Sequence, residues 1–348
     1  MAFTAQELNN IANAALDYNI RGGALSQTIQ ERPLLSFLES NKKSFPGGKE
    51  AITGPVKGVY TSEAQGYSHD DTVIYKNPAN LKRYSVNWYE LHCGINVTMT
   101  ELKNDGISVV DSMNGAETTE HSERELTVLT GLLEDKVEDM NEGWARSFNS
   151  MLWQDGTQDS KAVPGLLSFI LDDPTAAGST FGIDRTANTW WRNRASLLIN
   201  ASTASNQNLV NELQKEIRQL RRYGGRPDKF LAGSDFMDAL EQELRAKGNY
   251  TETGWSKSGG GRIDASVADM AFKGIPIEYD PTLDDLGRAK YGYILDSNHI
   301  KLRPMDGEDM KSHNPARPPE KYVIYRAMTW TGGLVCDQLN SCGVYSIS

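Results

Sequence analysis

Residues 118–153 read TTEHSERELTVLTGLLEDKVEDMNEGWARSFNSMLW, and their pattern decides the fold. Apolar side chains recur at Leu126, Leu129, Leu133, Val137, Met140, Trp144, Phe148 and Met151, in steps of three or four residues. That spacing is the period of one amphipathic helix. Ser122 and Glu125 stand at capping-box positions near its start, and Asp155-Gly156 supplies the stop. At 1.5 Å of rise per residue the helix would be about 50 Å long, against a usual helix of about 11–12 residues. One face is apolar, and Glu134, Asp135, Glu138, Asp139 and Glu142 make the other acidic. No residue in it points to a reaction, so it reads as a girder.

Working outward, residues 1–45 read as an apolar arm. Leu8, Ile11, Ala12, Ala15 and Leu16 predict a short amphipathic helix, broken by Arg21-Gly22-Gly23. Leu34, Leu35, Phe37 and Leu38 follow Pro33, a favoured first residue of a helix. Such an arm needs a surface to lie on, its own or a neighbour's. Residues 46–88 predict a long hairpin, with strands over Ile52–Tyr60 and Thr72–Lys76 and a polar tip at Thr61–Asp71. Leu91, Cys93, Ile95, Val97 and Met99 alternate with polar or small residues, the period of a half-buried strand that Asn104-Asp105-Gly106 ends.

Beyond the girder the chain turns mixed. Helices are predicted at Gln207–Arg222, with Val210, Leu213, Ile217 and Leu220 inward, and at Ser234–Lys247, with Ser234 as N-cap. Arg218, Arg221 and Arg222 suit a helix C-terminus, and Gly224-Gly225 ends it. Strands are predicted at Lys229–Ala232, Ile275–Tyr279, Tyr291–Leu295, Ile300–Leu302, Tyr322–Thr331, Leu334–Leu339 and Val344–Ile347. Ser256–Arg262 reads as a flexible tract and Lys311–Pro319 as a proline-rich linker.

Composition narrows the function. The chain has 348 residues, 39% hydrophobic and 24% charged, so it can bury a sizeable core. No apolar run reaches the roughly 20 residues needed to span a bilayer. The first residues lack a signal-peptide pattern, so a cytoplasmic protein is expected. Cys93, Cys336 and Cys342 are odd in number and lack metal-site spacing, so they read as small buried residues rather than disulfides or zinc ligands. The net charge of −10 argues against gripping nucleic acid through its phosphates.

Local chemistry is sparse. His69, His92, His121, His299 and His313 show no metal-ligand spacing. Gly47-Gly48-Lys49-Glu50 lacks the hydroxyl and glycine spacing of a phosphate loop. Asp155–Asp159 lacks the later ligands of a calcium loop. Gly259-Gly260-Gly261-Arg262 reads as a loop before an anion cradle. Trp190-Trp191-Arg192-Asn193-Arg194 carries the residue types that stack on single-stranded nucleic acid, but core or interface packing explains it better on an acidic chain. No catalytic residue, metal ligand or cofactor is expected.

The order of these parts, together with several short stretches, resembles the major capsid protein of tailed bacteriophages, an α+β chain of the Hong Kong 97-type fold. The stretches are Val163-Pro164-Gly165-Leu166, Trp190-Trp191-Arg192, Pro227-Asp228-Lys229-Phe230-Leu231-Ala232-Gly233, Phe272-Lys273-Gly274-Ile275-Pro276-Ile277, and Tyr293-Ile294-Leu295-Asp296 with Lys301-Leu302. The resemblance covers nearly the whole chain and rests on order, since each stretch alone is unspecific. It implies an N-terminal arm at 1–45, an extended loop at 46–88, a peripheral domain at 89–164 and 319–348 holding the spine helix 118–153, and an axial domain at 165–318.

The implied function is structural. Copies would assemble into the pentamers and hexamers of an icosahedral head enclosing double-stranded DNA, built in the host bacterial cytoplasm and kept in the virion. Leu34, Leu35, Phe37, Tyr60, Tyr67, Tyr75, Trp190, Trp191 and Arg192 are the expected subunit-contact residues. The hairpin starts too early for a built-in scaffolding segment, so the expected partners are separate scaffolding and portal proteins. Lys57 and Lys76 lie in the extended loop, but no motif marks a reacting pair, so no cross-link is expected and a cement protein could reinforce the shell. Three other readings stand beside it. An encapsulin-type shell would hold enzyme cargo and no nucleic acid. A soluble α+β enzyme would need a cleft of converging titratable groups. Another virion component would form rings, trimers or tubes.

Overall fold

The computed structural model describes residues 3–4, 30–75, 77, 80–104, 109–110, 123–201, 208–246, 271–313, 315 and 323–348. In chain order its main elements are α1 (Pro33–Ser40), β1 (Ala51–Lys57), β2 (Leu81–Asn87), β3 (Tyr89–Thr98), α2 (Met99–Asn104), α3 (Glu123–Trp153), β4 (Arg194–Ile199), α4 (Leu209–Arg221), β5 (Lys229–Ala232), α5 (Ser234–Ala246), β6 (Ala271–Phe272), β7 (Ile275–Tyr279), α6 (Pro281–Asp285), β8 (Tyr291–Leu295), β9 (Ile300–Pro304), β10 (Lys311–His313), β11 (Val323–Cys336) and β12 (Gly343–Ile347). The chain is α+β and divides into two compact units. The predicted arm helix at Leu8–Leu16, the Ser122 cap, His121 and the tract Ser256–Arg262 lie outside the described residues.

The first unit holds Met1–Ile29, of which only residues 3–4 are described, with Glu90–Phe148 and Pro304–Gly332. The girder is present as α3, 31 residues long. Val137, Met140, Trp144 and Phe148 are buried, and Glu138 and Asp139 are exposed, as the periodicity requires. Leu126, Leu129, Leu133, Glu134 and Asp135 lie outside the described side chains. Trp144 stacks on Phe148 with ring centroids 5.3 Å apart, and Phe148 meets Trp330 at 4.9 Å. β3 alternates half-buried and exposed residues, with Val97 fully inside. β3 and β10 both pair with β11, β10 in the register Lys311↔Thr329 to His313↔Ala327.

Three expectations change in this unit. The segment after β3 is not a plain stop but α2, which Thr98 and Glu101 cap reciprocally: the Thr98 N–H donates to Glu101 Oε2 at 3.1 Å, and the Glu101 N–H to Thr98 Oγ1 at 3.3 Å. Those bonds, with Lys136 beside it, hold the Glu101 carboxyl below the usual range. Lys311–His313 is not linker but strand β10, with His313 Nε2 hydrogen-bonded to Thr329 Oγ1 at 2.7 Å. Cys93 is only half-buried, its thiol 3.8 Å from the Met140 carbonyl, whereas Cys336 and Cys342 are fully buried.

The second unit holds Gln30–Tyr89, Asn149–Arg303 and Gly333–Ser348. Its centre is a six-stranded sheet in the order β6-β7-β5-β8-β12-β4. β5 runs parallel to β7 and antiparallel to β8, and β12 runs antiparallel to β8 and parallel to β4. Strands buried on both faces should be continuous apolar runs. Phe230-Leu231-Ala232 and Tyr293-Ile294-Leu295 fit, and all six are fully buried.

On one face α4 and α5 bury Leu209, Val210, Leu213, Ile217, Leu220, Phe236 and Leu240 against Phe230, Ile277, Ile294 and Tyr345. Each apolar side chain so buried is worth about 1.5–3 kcal/mol. The buried Glu243 of α5 accepts the Leu209 and Val210 N–H groups at 2.8 and 3.1 Å, satisfying donors that the start of α4 would otherwise leave orphaned. The buried Glu216 takes Arg194 of β4 in a bidentate pair at 2.9 and 2.8 Å. Ser234 is the first helical residue of α5 rather than its cap; its N–H goes to Asp284 Oδ1 at 3.0 Å, a carboxylate brought from α6.

Two strand boundaries also move. β1 pairs with β2 at 81–87, not with Thr72–Lys76. Val86 and Tyr84 are buried opposite Ile52 and Gly54, a period-two match in which Val56 is buried on the same face of β1. β11 runs unbroken through Gly332-Gly333, where a break was expected. A Cβ on Gly333 would stand 3.1 Å from the Asn87 carbonyl, so the glycine marks a close backbone approach and not a turn.

The buried Asp280 joins three distant segments. Its Oδ2 accepts the Trp153 indole N–H at 3.0 Å, its Oδ1 accepts the Thr282 N–H at 2.9 Å, and the Leu34 N–H at the start of α1 also donates to it. Asn149 adds a bond to Thr282 Oγ1 at 2.7 Å, and Trp153 packs on Tyr293 of the sheet at 5.0 Å. Burial raises the Asp280 carboxyl above the ordinary aspartate value, although these hydrogen bonds pull it down. Asp280→Asn should therefore cost about 1–3 kcal/mol, because one amide oxygen cannot serve every donor. A raised carboxyl favours the fold most in acid and loses that contribution as the pH climbs through its folded value. The melting-temperature gap between wild type and Asp280→Asn should then narrow as the pH rises from about 4; a gap that widens with pH would refute the assignment.

Candidate assembly surface

The β1–β2 hairpin is held at both ends. Near its start the Trp88 indole N–H donates to the Lys49 carbonyl at 3.0 Å. At the far end the Gly58 N–H donates to the Asn80 carbonyl at 2.9 Å. Between them Gly54 faces Tyr84, and a Cβ at Gly54 would fall 2.4 Å from that ring. The ring therefore lies across the strand, the way an aromatic covers a glycine in a sheet.

Between Gly58 and Asn80 the chain leaves the hairpin as a long loop. Its described part has no strand or helix, only a turn in which the Ser68 N–H meets Asp71 Oδ2 at 2.8 Å. Tyr60, Tyr67, Ile74 and Tyr75 are 75, 67, 67 and 92% exposed. With Val59 and Val73 that makes six large hydrophobic side chains exposed on one loop, a liability unless something covers them.

The Trp190 cluster supports the root of this loop. A Cβ at Gly58 would lie 2.7 Å from Trp190 Cε2, so the half-buried indole rests directly on the Gly58 backbone. Trp191 is 2% exposed, meets Trp190 edge-on at 5.7 Å, and donates its N–H to the Thr180 carbonyl at 3.0 Å. The half-buried Arg192 donates Nε to the Arg185 carbonyl at 2.9 Å. The Ser85 N–H of β2 donates to the Phe181 carbonyl at 3.0 Å. Phe181 holds φ at +52°, a left-handed conformation rare for an aromatic residue, with its ring 5.3 Å from Phe169.

The expected contact residues thus fall into two groups. Tyr60, Tyr67 and Tyr75 lie exposed on the loop, and Trp190 and Arg192 lie half-exposed at its root. Leu34, Leu35, Phe37 and Trp191 are buried in the chain's own core. Their apolar character served as the signal, and it does not distinguish a core residue from an interface anchor. The Gly58–Trp190 seat went unread because nothing local links residues so far apart in sequence. Elsewhere Arg288 clamps Asp172 bidentately at 3.1 and 3.0 Å and reaches the Tyr293 hydroxyl at 2.8 Å, a structural pair. Tyr279 donates to Asp284 at 2.7 Å and its phenol is pushed up to about 12. Among the described residues no group of three or more His, Cys, Asp or Glu could hold a metal ion, and no helix is long and apolar enough to cross a membrane.

The seat yields a test of loop control. Trp190→Ala should leave the subunit folded and speed limited proteolysis within 58–80 by about tenfold, since local opening governs cleavage. Unchanged cleavage would show that Trp190 does not anchor the loop.

No protein-family model matches this sequence, and no curated protein matches it. Solved structures do. A chain of the cyanophage A-1(L) capsid asymmetric unit aligns over 92% of this chain and 94% of its own length, at 15% identity and a TM-score of 0.65. The capsid of a native GTA particle aligns over 94% and 93%, at 11% identity and a TM-score of 0.57. The capsid of Myoviridae phage XM1 aligns over 93% and 94%, at 12% identity and a TM-score of 0.51. Agreement over nearly the full length of both chains means that this protein has the capsid-type α+β fold of tailed bacteriophages.

Proposed function

We propose that this chain is a major capsid protein. Copies assemble into the pentamers and hexamers of an icosahedral phage head that encloses double-stranded DNA. The observation that carries the reading is the end-to-end match to a capsid subunit at a TM-score of 0.65. The arm at 1–45, the extended loop at 46–88, the peripheral domain at 89–164 and 319–348 with its spine helix 118–153, and the axial domain at 165–318 are the parts assigned to it. Its role is structural rather than enzymatic. It works in the virion after assembly in the host cytoplasm, with separate scaffolding and portal proteins and a possible cement protein.

The exposed loop supports this reading physically. A two-stranded hairpin is marginal in water, and this one ends in a loop with six exposed large hydrophobic side chains. A neighbouring subunit would cover them. Closed shells need heterologous contacts that return on themselves after a fixed number of copies, and obligate ones commonly bury 2,000 Å² or more. An acidic chain also suits a container, since a wall that gripped phosphates would oppose both filling and release.

Negative-stain electron microscopy of the purified chain, expressed alone and with its neighbouring genes, tests the proposal. Closed shells with pentameric and hexameric clusters and co-purifying DNA are expected. A uniform monomer or dimer under every condition would refute the shell. Shells that carry an enzyme and no nucleic acid would refute the phage head in favour of a cargo compartment.

A further inference from the structure

We infer that the arginine cluster closing α4 is a subunit-contact surface that receives the acidic face of a second copy of this chain. The inference rests on the capsid reading and deepens it by naming one contact. Arg218, Arg221, Arg222 and Arg226 are all exposed, and none enters an ion pair among the described residues. Arg194, Lys215, Lys229 and Arg288 of the same unit each sit against a carboxylate, whereas these four exposed guanidinium groups gather within nine residues of a chain of net charge −10 with no ion pair among the described residues.

The helix dipole explains only part of the cluster. Cations are favoured in the last turn of a helix, which covers Arg218 and Arg221. Arg226 lies four residues past the C-cap Arg222. The segment that carries it is built, not loose. Gly224 turns at φ +91°. A Cβ at Gly225 would fall 2.6 Å from the Leu220 carbonyl, so the chain folds tightly back on α4. Gln338 Nε2 donates to the Tyr223 carbonyl at 3.2 Å, and the Arg226 N–H donates to the buried Asp296 at 2.7 Å. Tyr223, 63% exposed, carries the Arg222 guanidinium 5.5 Å above its ring. The guanidinium groups are thus mounted on a rigid backbone, which lowers the entropy lost on binding.

The occupant follows from charge. The planar arginine fork matches carboxylates in pairs, which lysine does not. This chain supplies such carboxylates: Asp235 and Asp238 on α5 and Asp285 at the end of α6 are exposed and enter no ion pair among the described residues. A polyphosphate would suit the same fork, but 46 acidic against 36 basic residues repel it over the chain as a whole. A second copy carries the complementary charge, and a basic face meeting an acidic face is the heterologous contact that closes a ring.

Charge exchange in the full-length chain tests this, with circular dichroism confirming that each variant is folded. Arg221→Glu with Arg222→Glu, and separately Asp235→Lys with Asp238→Lys, should each lower the assembled fraction by at least about tenfold against wild type, because like charges then face each other. A chain carrying both exchanges should assemble again, because its faces are complementary once more in every copy, and raising the salt should weaken wild-type assembly. A glutamate variant that assembles as wild type does, whether or not it loses affinity for a short DNA duplex, overturns the inference and leaves the capsid reading intact. So does a folded chain carrying both exchanges that stays unassembled. A wild-type chain that never assembles overturns the capsid reading itself.

Discussion

One buried carboxylate organises the second unit. Asp280 gathers an indole from the last turn of α3, a backbone amide from the first turn of α1 and another from the first turn of α6. A buried donor left without an acceptor costs about 1–3 kcal/mol. Those three segments therefore cannot separate without orphaning groups, and each brings apolar side chains with it. Leu34 and Leu38 of α1, Trp153 of α3 and Leu283 of α6 are all fully buried. The long helix is thus anchored by its end, and the arm residues nearest α1 belong to the chain's own core. Of the expected contact residues, those left exposed are the tyrosines of the loop between Gly58 and Asn80, with Trp190 and Arg192 half-exposed at its root.

Much of this was legible in the sequence wherever a period stated it. The helix period set α3 and α4, and short apolar runs set β5 and β8 within their observed bounds, as β-prone residues did β7. Reading failed where the partner was distant. Ile74 and Tyr75 are β-prone, but they have no inward-facing partners across from β1, so the hairpin closes through Tyr84 and Val86 instead. Gly332-Gly333 looked like a breaker because a glycine pair is a breaker in isolation; the Asn87 carbonyl that requires it comes from another part of the chain. Thr98-x-x-Glu101 is the exception: a complete local signal for α2, present in the sequence and unread.

The candidate surface was legible in kind and only half legible in place. Aromatic and leucine residues mark both cores and interfaces, and burial sorted Leu34, Leu35, Phe37 and Trp191 one way and Tyr60, Tyr67 and Tyr75 the other. Trp190 sits between the two groups. It touches the Gly58 backbone, so its contribution to any neighbour contact runs through the loop it supports. The left-handed Phe181, whose carbonyl takes the Ser85 N–H, is the kind of over-determined strain found where one element must be held at a set angle to another.

The loop and the arginine cluster obey different physics, and a shell can use that difference. Burial of Tyr60, Tyr67, Ile74 and Tyr75 is short-ranged and nearly indifferent to dilute salt, so it acts only after copies have met. Opposite charges on separate faces act across about 8–10 Å at ordinary ionic strength, so they orient copies before contact. Neither alone specifies a closed ring. Apolar loops would stick in many registers, and charged faces in water are individually weak. A rigidly mounted charge pattern that selects the register, followed by apolar burial that holds it, gives both specificity and strength from one chain.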